Sequence, residues 1–286
     1  MYGTFSKTLK KYYNTVDYTV DGSKYAGIRV FMTDKNTQSI APGVLLSTPK
    51  VSLGQINPNG IAASKVVAKI NGPDSDYNQN GALYNGTFYV DGEYYQNSKK
   101  IEPYQWENAN PWWRGRPTFC VKSDGSATIR WYENASALTT AANYCDSIIA
   151  CCNPLVYDGK SIFEHVVISS AENGSHRLAN WSNLNDSTCH FNSGYAGSHK
   201  SKTNRTFLGH RSDGTFLFVC AVPATMDLRV GAKLMADLDC DYAVNMDGSG
   251  QVQMRVASGY TNGATAGRMT AGSHDYYGHV IAAYNK

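Results

Sequence analysis

Two short segments constrain the fold most: KSDGSAT (Lys122–Thr128) and RSDGTF (Arg211–Phe216). Each places Asp-Gly between two runs rich in β-branched and aromatic residues, the usual signal of a short hairpin. A chain that reverses this way pairs consecutive strands antiparallel. Further strand-like runs follow the same rule, bounded by Gly, Asn and Asp: GIRVFMT (Gly27–Thr33), GVLLST (Gly43–Thr48), VVAKI (Val66–Ile70), GTFYVDG (Gly86–Gly92) and TFLFVCAV (Thr215–Val222). The clearest helix covers Met226 to Leu238, with Leu228, Ala232, Met235 and Leu238 on one face and Asp227 as its N-cap. A second helix is expected over Ala135 to Ala142. These elements together predict an α/β, mixed α+β fold: one domain with a central, mostly antiparallel or mixed sheet flanked by a few helices.

A chain of 286 residues buries enough apolar surface to fold without disulfides. Its seven cysteines form no C-x-x-C pair, and several stand in apolar runs, where they read as small buried hydrophobes. The histidines His176, His190 and His199 match no standard metal spacing, so no metal site is expected and no cofactor is implied. A net charge of +3, with basic residues scattered, argues against a nucleic-acid partner. No segment is long and apolar enough to span a membrane, and none resembles a signal peptide, which points to the cytoplasm by default. Twenty tyrosines and five tryptophans among many Asn, Ser and Thr suit a sugar-binding surface, but they suit β-strands equally. Residues 1–24 read as a tail or edge element. The polar stretch at about 169–202 reads as an insertion or lid.

The turn NMDGSG, Asn245 to Gly250, follows the apolar run Tyr242–Ala243–Val244 and carries the most chemistry. Asp247 can act as nucleophile, base or acceptor, and Asn245 offers a donor and an acceptor together. Gly248 and Gly250 permit positive φ and let a ligand approach the main chain. A hairpin turn that bonds its own backbone would use the same residues, and the turn alone does not separate the two readings.

The blocks around it resemble the phosphodiester glycosidases. YAVNMDGSGQVQM is similar to that family's strand ending in Asn-x-Asp-Gly-Gly-Gly-Ser, matching at Asn245, Asp247, Gly248 and Gly250. AKINGPDSD resembles its Ile-Asn-Gly-Gly segment at Ile70, Asn71 and Gly72. NPLVYDGK resembles its Pro-Leu-x-x-x-Gly-Lys block. NRTFLGHRSDG resembles its Arg-Thr block at Arg205, Thr206, Gly209, Asp213 and Gly214. The likeness runs from about residue 27 onward, so residues 25–286 are expected to form the family's domain. The chain departs at Ser249, at Pro73–Asp74, and at Val230, which stands where the family's helix carries a glutamate.

The resemblance implies a hydrolase acting on a sugar 1-phosphodiester, whose substrate is a glycan, a teichoic-acid-like polymer or a nucleotide-sugar conjugate. Asp247 would meet the anomeric carbon, and Arg205 would clamp the phosphate. Amides of Gly248, Ser249 and Gly250 would support the anion. Asn71, with Gly72, and Asn245 would hold sugar hydroxyls, with Gly209 alongside. Asp74 would replace the missing glutamate, and Arg268 would add a second anion contact. The alternative is a glycan-binding module without turnover. Bacteria and their phages carry family members, and a phage-encoded one would be virion-associated or extracellular.

Overall fold

The computed structural model describes residues 3–46, 51–73, 87–96, 99–101, 117–132, 135–150, 153–164, 201–270 and 277–286. The chain begins with β1 (Thr4–Phe5), β2 (Tyr12–Val20) and β3 (Ser23–Met32), then β4 (Gln38–Val44) and β5 (Val66–Asn71). β6 (Thr87–Val90), β7 (Glu93–Gln96), β8 (Lys99–Ile101), β9 (Pro117–Lys122) and β10 (Ala127–Trp131) precede the helix α1 (Ala135–Ala142). β11 (Cys145–Ala150), β12 (Asn153–Tyr157), β13 (Lys160–Ser161), β14 (Thr203–His210) and β15 (Phe216–Met226) lead to α2 (Leu228–Asp237). β16 (Tyr242–Asn245), β17 (Met254–Val256), β18 (Gly267–Arg268) and β19 (His279–Asn285) complete the chain.

The hairpins come from local chemistry. At Asp21–Gly22, Asp91–Gly92 and Asp158–Gly159 both residues have positive φ, as a two-residue turn matched to strand twist requires. Asp124–Gly125 and Asp213–Gly214 join β9 to β10 and β14 to β15, with positive φ at the glycine alone.

Three antiparallel sheets result among the described residues. Their strand orders are β1-β2-β3-β15-β14-β16-β12-β13, β10-β9-β11-β6-β7-β8 and β18-β17-β5-β19-β4. This corrects the expected α/β architecture. The fold is mostly β, an antiparallel sheet curled into a half-barrel, and only two α-helices occur among the described residues. An apolar sheet face must be covered. Here other strands cover it: one core joins Phe31 and Phe218, Ile70 and Ile281, and Phe119 and Ile149, a pair from each sheet.

The helices are local packing pieces. α1 seats Leu138 and Ala141 on Cys145 and Ile148 in a smaller cluster. Asp227 caps α2 by accepting from the Val230 N–H at 2.9 Å. Gly231 lets this helix approach β14, because a Cβ there would come 2.6 Å from the Phe207 ring.

Candidate active site

The ends of four strands meet at one place. β5 ends at Asn71 and β16 ends at Asn245, while β14 brings Arg205 and Thr206 near its start. β17 follows Gln253 directly. Asn71 ties these strands together from a fully buried position. Its Nδ2 donates to the Asp247 carbonyl at 2.8 Å. Its Oδ1 accepts from Thr206 Oγ1 at 2.7 Å and from the Gln253 N–H at 3.1 Å. The Asp247 N–H in turn donates to the Gly72 carbonyl at 3.1 Å, and the Met246 N–H to the Thr206 carbonyl at 2.8 Å. The peptide groups on both sides of the Asp247 Cα are therefore fixed by the end of β5, and the one before them by β14 of another sheet.

The turn itself differs from its sequence reading in one respect. Positive φ falls on Ser249, at 55°, whereas Gly248 sits in extended backbone at φ −118°. Gly248 is needed for room: a Cβ there would lie 2.8 Å from the Asn204 carbonyl oxygen and 3.8 Å from Arg205 Nη1. Its N–H donates to Asp247 Oδ1 at 2.8 Å, so this amide orients the carboxylate instead of pointing at open space. Ser249–Gln251 then forms one 3₁₀ turn with Ser249 exposed and Gly250 half-buried.

Arg205 is buried beside this turn. Its Nε donates to the Met226 carbonyl at 3.2 Å and its Nη2 to the Ser201 carbonyl at 2.8 Å, and its Nη1 lies 3.8 Å from where a Cβ on Gly248 would stand. A guanidinium stays charged even when buried, and its fork of donors suits an anion next to it. Asn245 is buried, and its Oδ1 has no hydrogen-bond partner among the described residues. An unpaired buried acceptor costs about 1–3 kcal/mol, a cost that a ligand hydroxyl would relieve.

Of the residues singled out in the sequence, the structure thus gathers Asn71, Gly72, Arg205, Asn245, Asp247, Gly248, Ser249 and Gly250. Gly209 has another task. It lies further along β14, where a Cβ would come 2.6 Å from Cys240 Sγ and Met235 Cε, and it serves the packing of α2. Arg268 is exposed on β18, its Nε donating to the Thr270 carbonyl at 2.8 Å. Asp74 and the stretch at 169–200, with its three histidines, lie outside the described residues. Among the described residues, no group of His, Cys, Asp and Glu side chains could hold a metal ion.

Sequence reasoning passed over three residues. Thr206 was read only as part of a motif, yet its hydroxyl anchors Asn71. Asn153 is buried directly across from Asn245 in the β12–β16 pairing. His279 opens β19, buried against Phe88, and Gly72 exists to admit its ring, since a Cβ on Gly72 would overlap Nδ1. A polar residue at the first position of an apolar strand was the available signal.

Comparison with known proteins gives the family and the fold. The family described as phosphodiester glycosidase matches residues 64–275. The chain belongs to the phosphodiester glycosidase family. Among solved structures, it is similar to the catalytic domain of zebrafish N-acetylglucosamine-1-phosphodiester alpha-N-acetylglucosaminidase, auto-inhibited by its pro-peptide. The likeness covers 100% of this chain and 89% of that one at 14% identity, with a TM-score of 0.60. A hypothetical protein from Synechocystis is also similar, over 95% of this chain and 62% of that one, at 9% identity and a TM-score of 0.52. No curated protein matches the chain. At these identities the structural likeness speaks for the fold.

Proposed function

We propose that this phosphodiester glycosidase hydrolyses the bond between an anomeric carbon and a phosphate oxygen in a sugar 1-phosphodiester. The observation that carries the reading is the convergence of the fixed Asp247 turn, the Arg205 guanidinium and the orphaned Asn245 oxygen at one set of strand ends. Cleavage of such a bond passes through an oxocarbenium-like transition state. The departing phosphate takes the bonding electron pair and is stabilised as an anion, so it needs less protonation than a sugar alcohol. One carboxylate then suffices at the carbon, either as nucleophile or as base for the water that replaces the phosphate. Asp247 fills that role, with its Oδ1 aimed by the Gly248 N–H. Arg205 stabilises charge on the leaving group. Asn245 and Asn153 bind ring hydroxyls.

The test is release of free sugar from UDP-N-acetylglucosamine and from a panel of glycosyl phosphodiesters. Wild type should turn over at least one of them and Asp247→Asn none. Turnover by both proteins would remove Asp247 from the mechanism. One feature favours a second reading, a module that binds sugar phosphates without cleaving them. Val230, where the family's helix carries glutamate, packs against the core and offers no carboxylate. Ligand binding by wild type without sugar release across the whole panel would select that reading.

A further inference from the structure

Three cations stand in a row on the five-stranded sheet. The β17–β18 register sets Arg255 opposite Arg268, and the β17–β5 register sets Arg255 opposite Lys69. Side chains at paired positions share one face of a sheet, with Cβ atoms roughly 5 Å apart. Like charges so placed repel, and a fold tolerates them where something neutralises them.

For Lys69 and Arg255 the described surroundings do not do so. Lys69 is buried, and its Nζ donates to the carbonyls of Gly54 at 2.9 Å and of Ile56, and to Asn57 Oδ1 at 2.9 Å, all neutral acceptors. Arg255 Nε donates to the neutral amide oxygen of Gln253 at 3.3 Å. The Arg255 guanidinium rests on Gly54, where a Cβ would come within 3.1 Å of Cζ. Lys69, Arg255, Gly54 and Asn57 line an open cleft of about 350 Å³, and no Asp or Glu is among the lining residues described. Burial, and then the charge of Arg255, lower the Lys69 ammonium to about 8. The site feels a local excess of positive charge.

We propose that this cleft is a second anion subsite, in which Arg255, backed by the charge of Lys69, binds a phosphate-class oxyanion. The row lies close to the catalytic turn. Lys69 precedes Asn71 by two residues on the same face of β5, a rise of about 7 Å, and Arg255 follows Gln253 by the same step. Resting on the glycosyl phosphodiester reading, the subsite takes a further phosphate of the same substrate. It thereby selects a substrate with more than one anionic group, such as a poly(glycosyl phosphate), over one with a single phosphodiester. The guanidinium fork suits two phosphate oxygens at once.

Titration calorimetry with inorganic phosphate at low ionic strength tests the site without any need for turnover. Wild type should show a binding event that Arg255→Glu weakens by about tenfold or more, a difference easily read as affinity. Arg255→Gln should weaken it as well, and Arg205→Gln should leave it in place. Circular dichroism melts establish that each variant is folded, and Arg255→Gln carries the test if Arg255→Glu is not. Equal phosphate binding by wild type and Arg255→Glu would overturn the subsite while leaving the Asp247 reading untouched. A phosphate site lost in Arg255→Glu stands even where no sugar is released.

A second arm identifies the source of the anion. Hydrolysis is compared for a glycosyl phosphodiester with and without a second phosphate on its aglycone. The wild-type preference for the doubly charged substrate should collapse in Arg255→Glu through KM. No wild-type preference would mean that the site holds free phosphate, and would overturn its role in substrate choice.

Discussion

Replacing Asn71 with alanine is the sharpest test of how the site is held. The side chain makes three close hydrogen bonds, to the Asp247 carbonyl, the Thr206 hydroxyl and the Gln253 N–H, beside a long one of 3.4 Å to the Gly72 carbonyl. Alanine leaves all three partners buried without it. A net loss of about 1 kcal/mol per bond, with extra cost for each group that water cannot reach, sums to about 4 kcal/mol. For a chain of this size that lowers Tm by about 10 °C. Urea unfolding gives the free energy directly. Thr206→Val removes one bond and leaves Asn71 Oδ1 paired with Gln253, so it should cost about 1 kcal/mol. The double variant should show coupling of about 1 kcal/mol, because Thr206 has no Asn71 left to lose. Asn71→Asp adds a pH signature. It keeps both acceptor contacts but must be protonated to donate to the Asp247 carbonyl. Its folded pKa is then raised above the unfolded value of about 3.9, and its stability is greatest at low pH and falls as pH rises through the folded pKa. A cost below about 1 kcal/mol for Asn71→Ala, or strict additivity with Thr206→Val, would refute the view that this amide fixes the turn.

Other consequences are equally direct. Gly248→Ala should cost about 1–3 kcal/mol by overpacking against the Asn204 carbonyl, and should lower sugar release more than Ser249→Ala does, as parallel melts and assays would reveal. Gly72→Ala drives a methyl into His279 and should perturb the His279 ring resonances in an NMR spectrum, which a remote substitution such as Gly22→Ala would leave alone. Lys69 releases its proton at about 8 when folded and about 10.4 when unfolded, so its contribution to stability rises with pH between those values. The difference between wild type and Lys69→Met, measured by urea unfolding from pH 7 to 10, should track that rise. Asp227→Ala removes the cap of α2 and should cost about 1 kcal/mol in the same experiment.

What the sequence disclosed was whatever its neighbours decide. Asp124–Gly125 and Asp213–Gly214 turn the chain where expected, because turn preference is settled within four residues. Asp227 caps its helix, and Ala135–Ala142 is helical. The Asn245–Gly250 turn could be nominated because its residues are contiguous and match a family block. Sheet membership was not legible. β5 pairs with β17 and β19, both far away in the chain, and nothing near Val66–Asn71 encodes those partners. The same blindness hid His279, hid the register that lines up Lys69, Arg255 and Arg268, and made Gly209 look like a ligand glycine when it is a seat for α2. The expected flanking helices failed for a related reason: periodicity found the two helices correctly, but could not say that sheets would cover one another.

The place of β19 has a consequence for the order of events during biosynthesis. β4 and β5 are made early, yet they never touch as neighbours, because the strand between them is supplied by residues 279–285. A ribosome must deliver residues 279–285 before that gap can close and His279 can reach Gly72. Until then the strand that ends at Asn71 keeps one open edge, and the Asp247 turn that Asn71 holds is framed by a sheet not yet closed.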